Sequence, residues 1–77
     1  MKHYQYSIYD WRITDSEGEV SGTSEQFELL ESSFGNENVY YRIENGKVVE
    51  VICEAFNETG ARRAVNKFLD TRMINAN

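Results

Sequence analysis

The apolar positions change period along the chain, and the clearest pattern runs from Val39 to Leu69. Val39-Tyr40-Tyr41-Arg42-Ile43 and Val48-Val49-Glu50-Val51-Ile52-Cys53 are rich in β-branched and aromatic residues, as half-buried strands are. Asn45-Gly46 between them marks a hairpin, because both residues tolerate positive φ. A two-residue loop would pair Ile43 with Val48 and set Glu50 beside Val39, Tyr41 and Ile43. A three-residue loop, Glu44 to Gly46, would pair Tyr41 with Val49 and Val39 with Val51. It would also gather Val39, Tyr41, Ile43, Val49, Val51, Cys53 and Ala55 on one face. A one-residue slip flips every side chain, so the pattern predicts the three-residue loop, with Gly46 in a bulge. The other face then carries Tyr40, Arg42, Val48, Glu50, Ile52 and Glu54, with Arg42 near Glu50 as an exposed pair.

Downstream, Asn57 or Thr59 can cap a helix that Glu58 favours electrostatically. Ala61, Ala64, Val65, Phe68 and Leu69 recur at helical spacing, which predicts a helix over about 59–73 with this stripe buried on the sheet.

Upstream, Tyr4, Tyr6 and Ile8 alternate with polar residues, and Tyr9, Trp11 and Ile13 continue on the opposite parity. A strand over residues 2–14 with a bulge between Ile8 and Tyr9 would keep both sets on one face. Without the bulge, a long strand would be buried on opposite faces at its two ends. Thr14 to Gly18 reads as a turn and Glu19-Val20-Ser21 as a short returning strand. Phe27, Leu30 and Phe34 form a helical stripe, Thr23 with Gln26 fits a capping box and Gly35 fits the stop; the alternative, a strand over Gln26 to Leu30, would scatter those three apolar residues. The predicted architecture is α+β, in the order ββαββα. It has an antiparallel sheet of three or four strands and two helices, the C-terminal one packed on the sheet. Trp11-Arg12-Ile13 faintly echoes Tyr41-Arg42-Ile43, each followed by a turn and a helix, which generic hairpin chemistry accounts for.

At 77 residues the chain reads as a single domain, 1–77, of modest stability. One cysteine rules out an internal disulfide, and Cys53 is placed on the buried face. The start has no apolar h-region and no apolar run is long enough to span a bilayer, which points to a cytoplasmic protein. Ten aromatics and no proline argue against disorder. The net charge of −5 is unevenly divided: residues 1–58 sum to −8, and residues 59–77 to +3.

Chemistry is sparse. The lone His3 lies near the chain start, the acids are scattered, and the five glycines are isolated. Glu50 and Glu54 share a strand face, as solvated acids commonly do. The sequence therefore predicts a non-enzymatic protein with no cofactor and no metal. Its expected contact surface is Tyr40, Arg42, Glu50 and Ile52 with the acidic Glu17, Glu19, Glu25 and Glu28, facing a basic protein partner. If the first helix covered the outer sheet face, Tyr40, Val48 and Ile52 would instead form a second core layer. The alternative function is nucleic-acid binding by Arg62, Arg63, Lys67 and Arg72, which the net charge disfavours. A sheet edge offers a route to a homodimer. In type, a tiny, acidic, disulfide-free chain without a catalytic motif is similar to phage and mobile-element accessory proteins that block a larger host protein. The expected target here is a nucleic-acid-binding protein.

Overall fold

Two hairpins set the frame of the molecule. The structure, a computed structural model, describes residues 1–29 and 37–75, with the side chains of 73–75 left out. Its elements are β1 Lys2–Tyr9, β2 Arg12–Val20, β3 Glu28–Leu29, β4 Asn38–Glu44, β5 Lys47–Ala55 and α1 Glu58–Asn75. The strands form one five-stranded sheet in the order β2-β1-β5-β4-β3, with every pairing antiparallel. The fold is thus α+β with one C-terminal helix among the described residues, not three or four strands with two helices in the order ββαββα.

The first difference lies at the parity change. Residues 2–14 are not one bulged strand: Tyr9 pairs with Arg12 across a two-residue turn at Asp10 and Trp11. Both turn residues have positive φ, 52° and 64°, the conformation of the turn type that matches strand twist. A two-residue turn reverses the chain, so residues of opposite parity return to the same face. Ile13, opposite Ile8, and Trp11 both pack against the core. The stretch from Thr14 to Gly18 is not a turn but the body of β2. Its polar composition is absorbed by two bulges, which leave Thr14 and Glu17 without a partner on β1. With its turn at 10–11, the first hairpin has no counterpart of Tyr41-Arg42-Ile43, which lies inside β4, and no helix among the described residues lies between it and β4.

The second difference is the first helix. Glu28 and Leu29 pair with Tyr41 and Tyr40 as strand β3, and no helix occupies residues 23–29. Pairing with the edge of β4 satisfies the backbone groups of Glu28 and Leu29. The rest of that predicted helix, 30–34, and Gly35 lie outside the described residues.

The third difference is register. Glu44 pairs with Lys47 and Ile43 with Val48, so the β4–β5 loop has two residues, Asn45 (φ 52°) and Gly46 (φ 77°). A bulge at Val49 then sets Arg42 opposite Glu50, Tyr41 opposite Val51 and Val39 opposite Cys53, in place of the expected pairs of Tyr41 with Val49 and Val39 with Val51. The bulge lets Val48 into the core and leaves Val49 only half-buried, the reverse of the predicted pair. Ile43 is exposed.

The core lies between the sheet and α1. Tyr4, Tyr6 and Ile8 of β1, Val39 of β4 and Val48, Val51, Cys53 and Ala55 of β5 face Ala61, Ala64, Val65, Phe68 and Leu69. Asn57 caps the helix: its side-chain oxygen accepts from the Gly60 amide at 2.8 Å, and its carbonyl accepts from Ala61. Ser16 of β2 donates to Glu58 at 2.8 Å, tying the bulged edge strand to the start of α1.

Candidate protein-binding face

Side chains alternate across a strand, so the register fixes what the helix-free face of the sheet carries. Three rows cross the strands, and beyond them Tyr9 and Arg12 form a further pair on the same face. The first is Val20, His3, Glu54 and Asn38. The middle row is Gly18, Gln5, Ile52, Tyr40 and Leu29. The third is Asp15, Ser7, Glu50 and Arg42. Among the described residues no helix or strand lies over this face.

The polar groups here are organised by hydrogen bonds. Glu50 is held from both sides: Gln5 donates to one carboxylate oxygen at 2.6 Å, and Arg42 Nε donates to the other at 2.8 Å. Arg42 also reaches Glu44 at 3.0 Å. The hydrogen bonds Arg42 donates to Glu50 and then to Glu44 raise the guanidinium's affinity for its proton further. The Arg42 and Glu50 side chains are 24% and 27% exposed, so this is a half-buried network rather than the fully exposed pair expected. Glu54 accepts from Asn38 at 2.8 Å and lies 3.3 Å from His3, whose ring stands 6.4 Å from that of Tyr40. Ser7 donates to Glu17 at 3.0 Å, which brings that bulged acid onto the same face. Glu54 is thus an orienting partner for His3 that the sequence does not reveal.

Of the predicted contact residues, Tyr40, Arg42, Glu50 and Ile52 share this face, and Glu17 joins them. The other three do not. Glu19 lies opposite Tyr4, on the side of α1, and its carboxylate is 3.9 Å from Lys2. Glu28 lies opposite Tyr41 on that same side, and Glu25 sits in the exposed turn before β3. Ile52 is only 2% exposed, whereas Leu29 is 53% exposed. Leu29, Val20 and His3 were not among the predicted contacts. In the sequence Leu29 falls within the helical reading of 23–34, and no turn signal marks the reversal that sends Val20 back beside His3.

The basic residues lie across the molecule, on α1. The Arg62 guanidinium sits 5.4 Å from the Tyr6 ring centre and that of Arg72 5.2 Å from Tyr41, which itself stacks on Phe68. Arg63 is exposed, and Lys67 has interactions of its own. A shallow groove of about 690 Å³ runs along this side, where Glu58 and Asp70 flank the cations. A second cleft, of about 540 Å³, separates the two hairpin tips and is lined by Tyr9, Asp10, Glu44 and Lys47 among others.

Among the described residues no group of three or more His, Cys, Asp or Glu side chains is placed to hold a metal ion. Nor is any described helix long and apolar enough to cross a membrane. In comparisons with known proteins, no family model, no curated protein and no solved structure matches this chain.

Proposed function

We propose that this protein acts by binding another protein through the helix-free face of its sheet, with no chemistry of its own. One observation carries the reading. α1 covers one side of the sheet, and the other bears Tyr40, Leu29 and Val20 beside Asp15, Glu17, Glu50 and Glu54. A sheet face that mixes accessible apolar side chains with oriented carboxylates suits a partner that is basic and partly apolar. A nucleic-acid-binding protein presents such a surface, and occupying it would block that protein's own ligand. The alternative, direct nucleic-acid binding by α1, is weaker. Arg62 and Arg72 lie over tyrosine rings, and Glu58 and Asp70 interrupt the basic stripe.

The test is affinity capture from source lysate with three tagged proteins: the natural sequence, Tyr40→Asp and Arg63→Glu. The expected result is one stoichiometric protein that the natural sequence and Arg63→Glu retain, that Tyr40→Asp loses and that high salt weakens. Retention by Tyr40→Asp with loss by Arg63→Glu would move the site to the helix and overturn the reading.

A further inference from the structure

The middle row of the helix-free face, whose floor is the buried Ile52, has a direction. At one end stand Leu29 and Tyr40, large and apolar; at the other, Gln5 and then Gly18, which has no side chain and open space where a Cβ would stand. The flanking rows are acidic. Glu54 lies on one side and Glu50 on the other, and Asp15 and Glu17 add charge at the Gly18 end. Against these four carboxylates the face holds Arg42, which Glu50 and Glu44 already engage, His3 beside Glu54, and Arg12 opposite Tyr9, outside the three rows. The face is therefore a low-floored strip across the strands, apolar at the β3–β4 end and negative along its flanks and over β2.

Building on the protein-binding reading, we propose that this strip takes a short basic amphipathic helix of the partner, laid across the strands. Its apolar residues rest on Tyr40 and Leu29, and its lysines and arginines meet Glu54, Glu17 and Asp15. The dimensions agree. Five strands about 4.8 Å apart span about 19 Å, the length of a helix of about 13 residues at 1.5 Å per residue. Charge complementarity sets the sign of the partner, and the direction of the strip sets the helix's orientation. A second copy of this chain is a poor occupant. The outer side of its α1 presents Thr59, Arg62, Arg63 and Asn66 with no apolar spine. Strand addition is also disfavoured, because the β2 edge is broken by two bulges and carries Asp15, Glu17 and Glu19.

The experiment titrates the ¹⁵N-labelled protein with three synthetic peptides of about 14 residues. One has a leucine spine flanked by lysines, one has glutamates in place of the lysines, and one has serines in place of the leucines. The expected result is that only the first binds, shifting the amides of Gln5, Gly18, Leu29 and Tyr40. Leu29→Ser and Glu17→Lys, both at exposed positions, should each weaken it at least five-fold with the rest of the spectrum unchanged. Equal binding of the glutamate peptide, shifts confined to α1, or no binding would overturn the proposal. The capture with Tyr40→Asp separates the two claims. If that variant loses a protein partner while the basic peptide fails to bind, the face binds protein in another form and only the helix is wrong. If Tyr40→Asp loses nothing as well, both fall.

Discussion

Tyr6 is the side chain under most constraint. It is fully buried, the Arg62 guanidinium stands over its ring, and its hydroxyl has no hydrogen-bond partner among the described residues. Burial, and then the nearby Glu58 carboxylate, pushes its pKa up to about 12. An orphaned buried hydroxyl forfeits its hydration without compensation. Tyr6→Phe keeps the ring under Arg62 and removes the orphan, so urea unfolding should show stability unchanged or raised by up to about 1 kcal/mol. A loss above about 1 kcal/mol would mean that the hydroxyl has a partner. Glu50 is the opposite case, since both of its oxygens are engaged. A double-mutant cycle on Arg42→Ala and Glu50→Ala should return a coupling of about 1 kcal/mol, at the upper end for exposed pairs. Coupling near zero would mean that the network gives order and no stability.

At the scale of elements, what the sequence declares depends on whether a local signal names its own backbone. The Asn45-Gly46 signal does so for the turn but not for its loop length, which is two residues and not the expected three; the stripe from Ala61 to Leu69 does so too, and is buried on the sheet as expected. The turn at Asp10-Trp11 does not, because a tryptophan at φ 64° has no local reason to be there. Its reason is tertiary: the indole packs against the core. Trp11→Gly relaxes the backbone by about 1 kcal/mol but gives up packing worth more, so thermal and urea unfolding should show a net loss of about 1–3 kcal/mol. A neutral or stabilised variant would show that the turn does not depend on the indole. The short strand at Glu28-Leu29 falls within the alternative reading of 26–30 as a strand, which loses to the helix because two residues carry no period and only the edge of β4 explains them. The candidate site divides the same way. Alternation along one strand placed Tyr40, Arg42, Glu50 and Ile52 together, but charge alone could not say which side of the sheet Glu19 and Glu28 take. The Asn57 cap was half legible, as one of two candidates. Asn57→Ala should cost about 1 kcal/mol, read by urea denaturation, and Thr59→Ala much less, because the Gly60 amide bonds to Asn57.

Among the described residues Tyr6 and Cys53 are acids that burial keeps neutral, and this sets where the stability of the whole molecule ends. Cys53 is fully buried, and burial, with Glu37 and then Glu54 adding to it, raises its thiol from 9.0 to about 12. Tyr6 rises from 10.0 to about 12. In both cases the folded state holds its proton where the unfolded chain has lost it. Each contribution is therefore complete below the unfolded pKa and is lost as pH climbs to the folded value. Stability should hold level up to about pH 9. It should then fall by about 1.4 kcal/mol per pH unit as the unfolded Cys53 thiol ionises, and about twice as steeply above pH 10, where Tyr6 joins. Urea midpoints measured from pH 7 to 11 on the natural protein and on Tyr6→Phe check this. The variant should follow the same course to pH 10 and then keep the shallower slope. If the natural protein shows no fall between pH 9 and 11, the thiol and the phenol are not held dry, and the core between α1 and the sheet is looser than the packing of Tyr6, Cys53 and Phe68 implies.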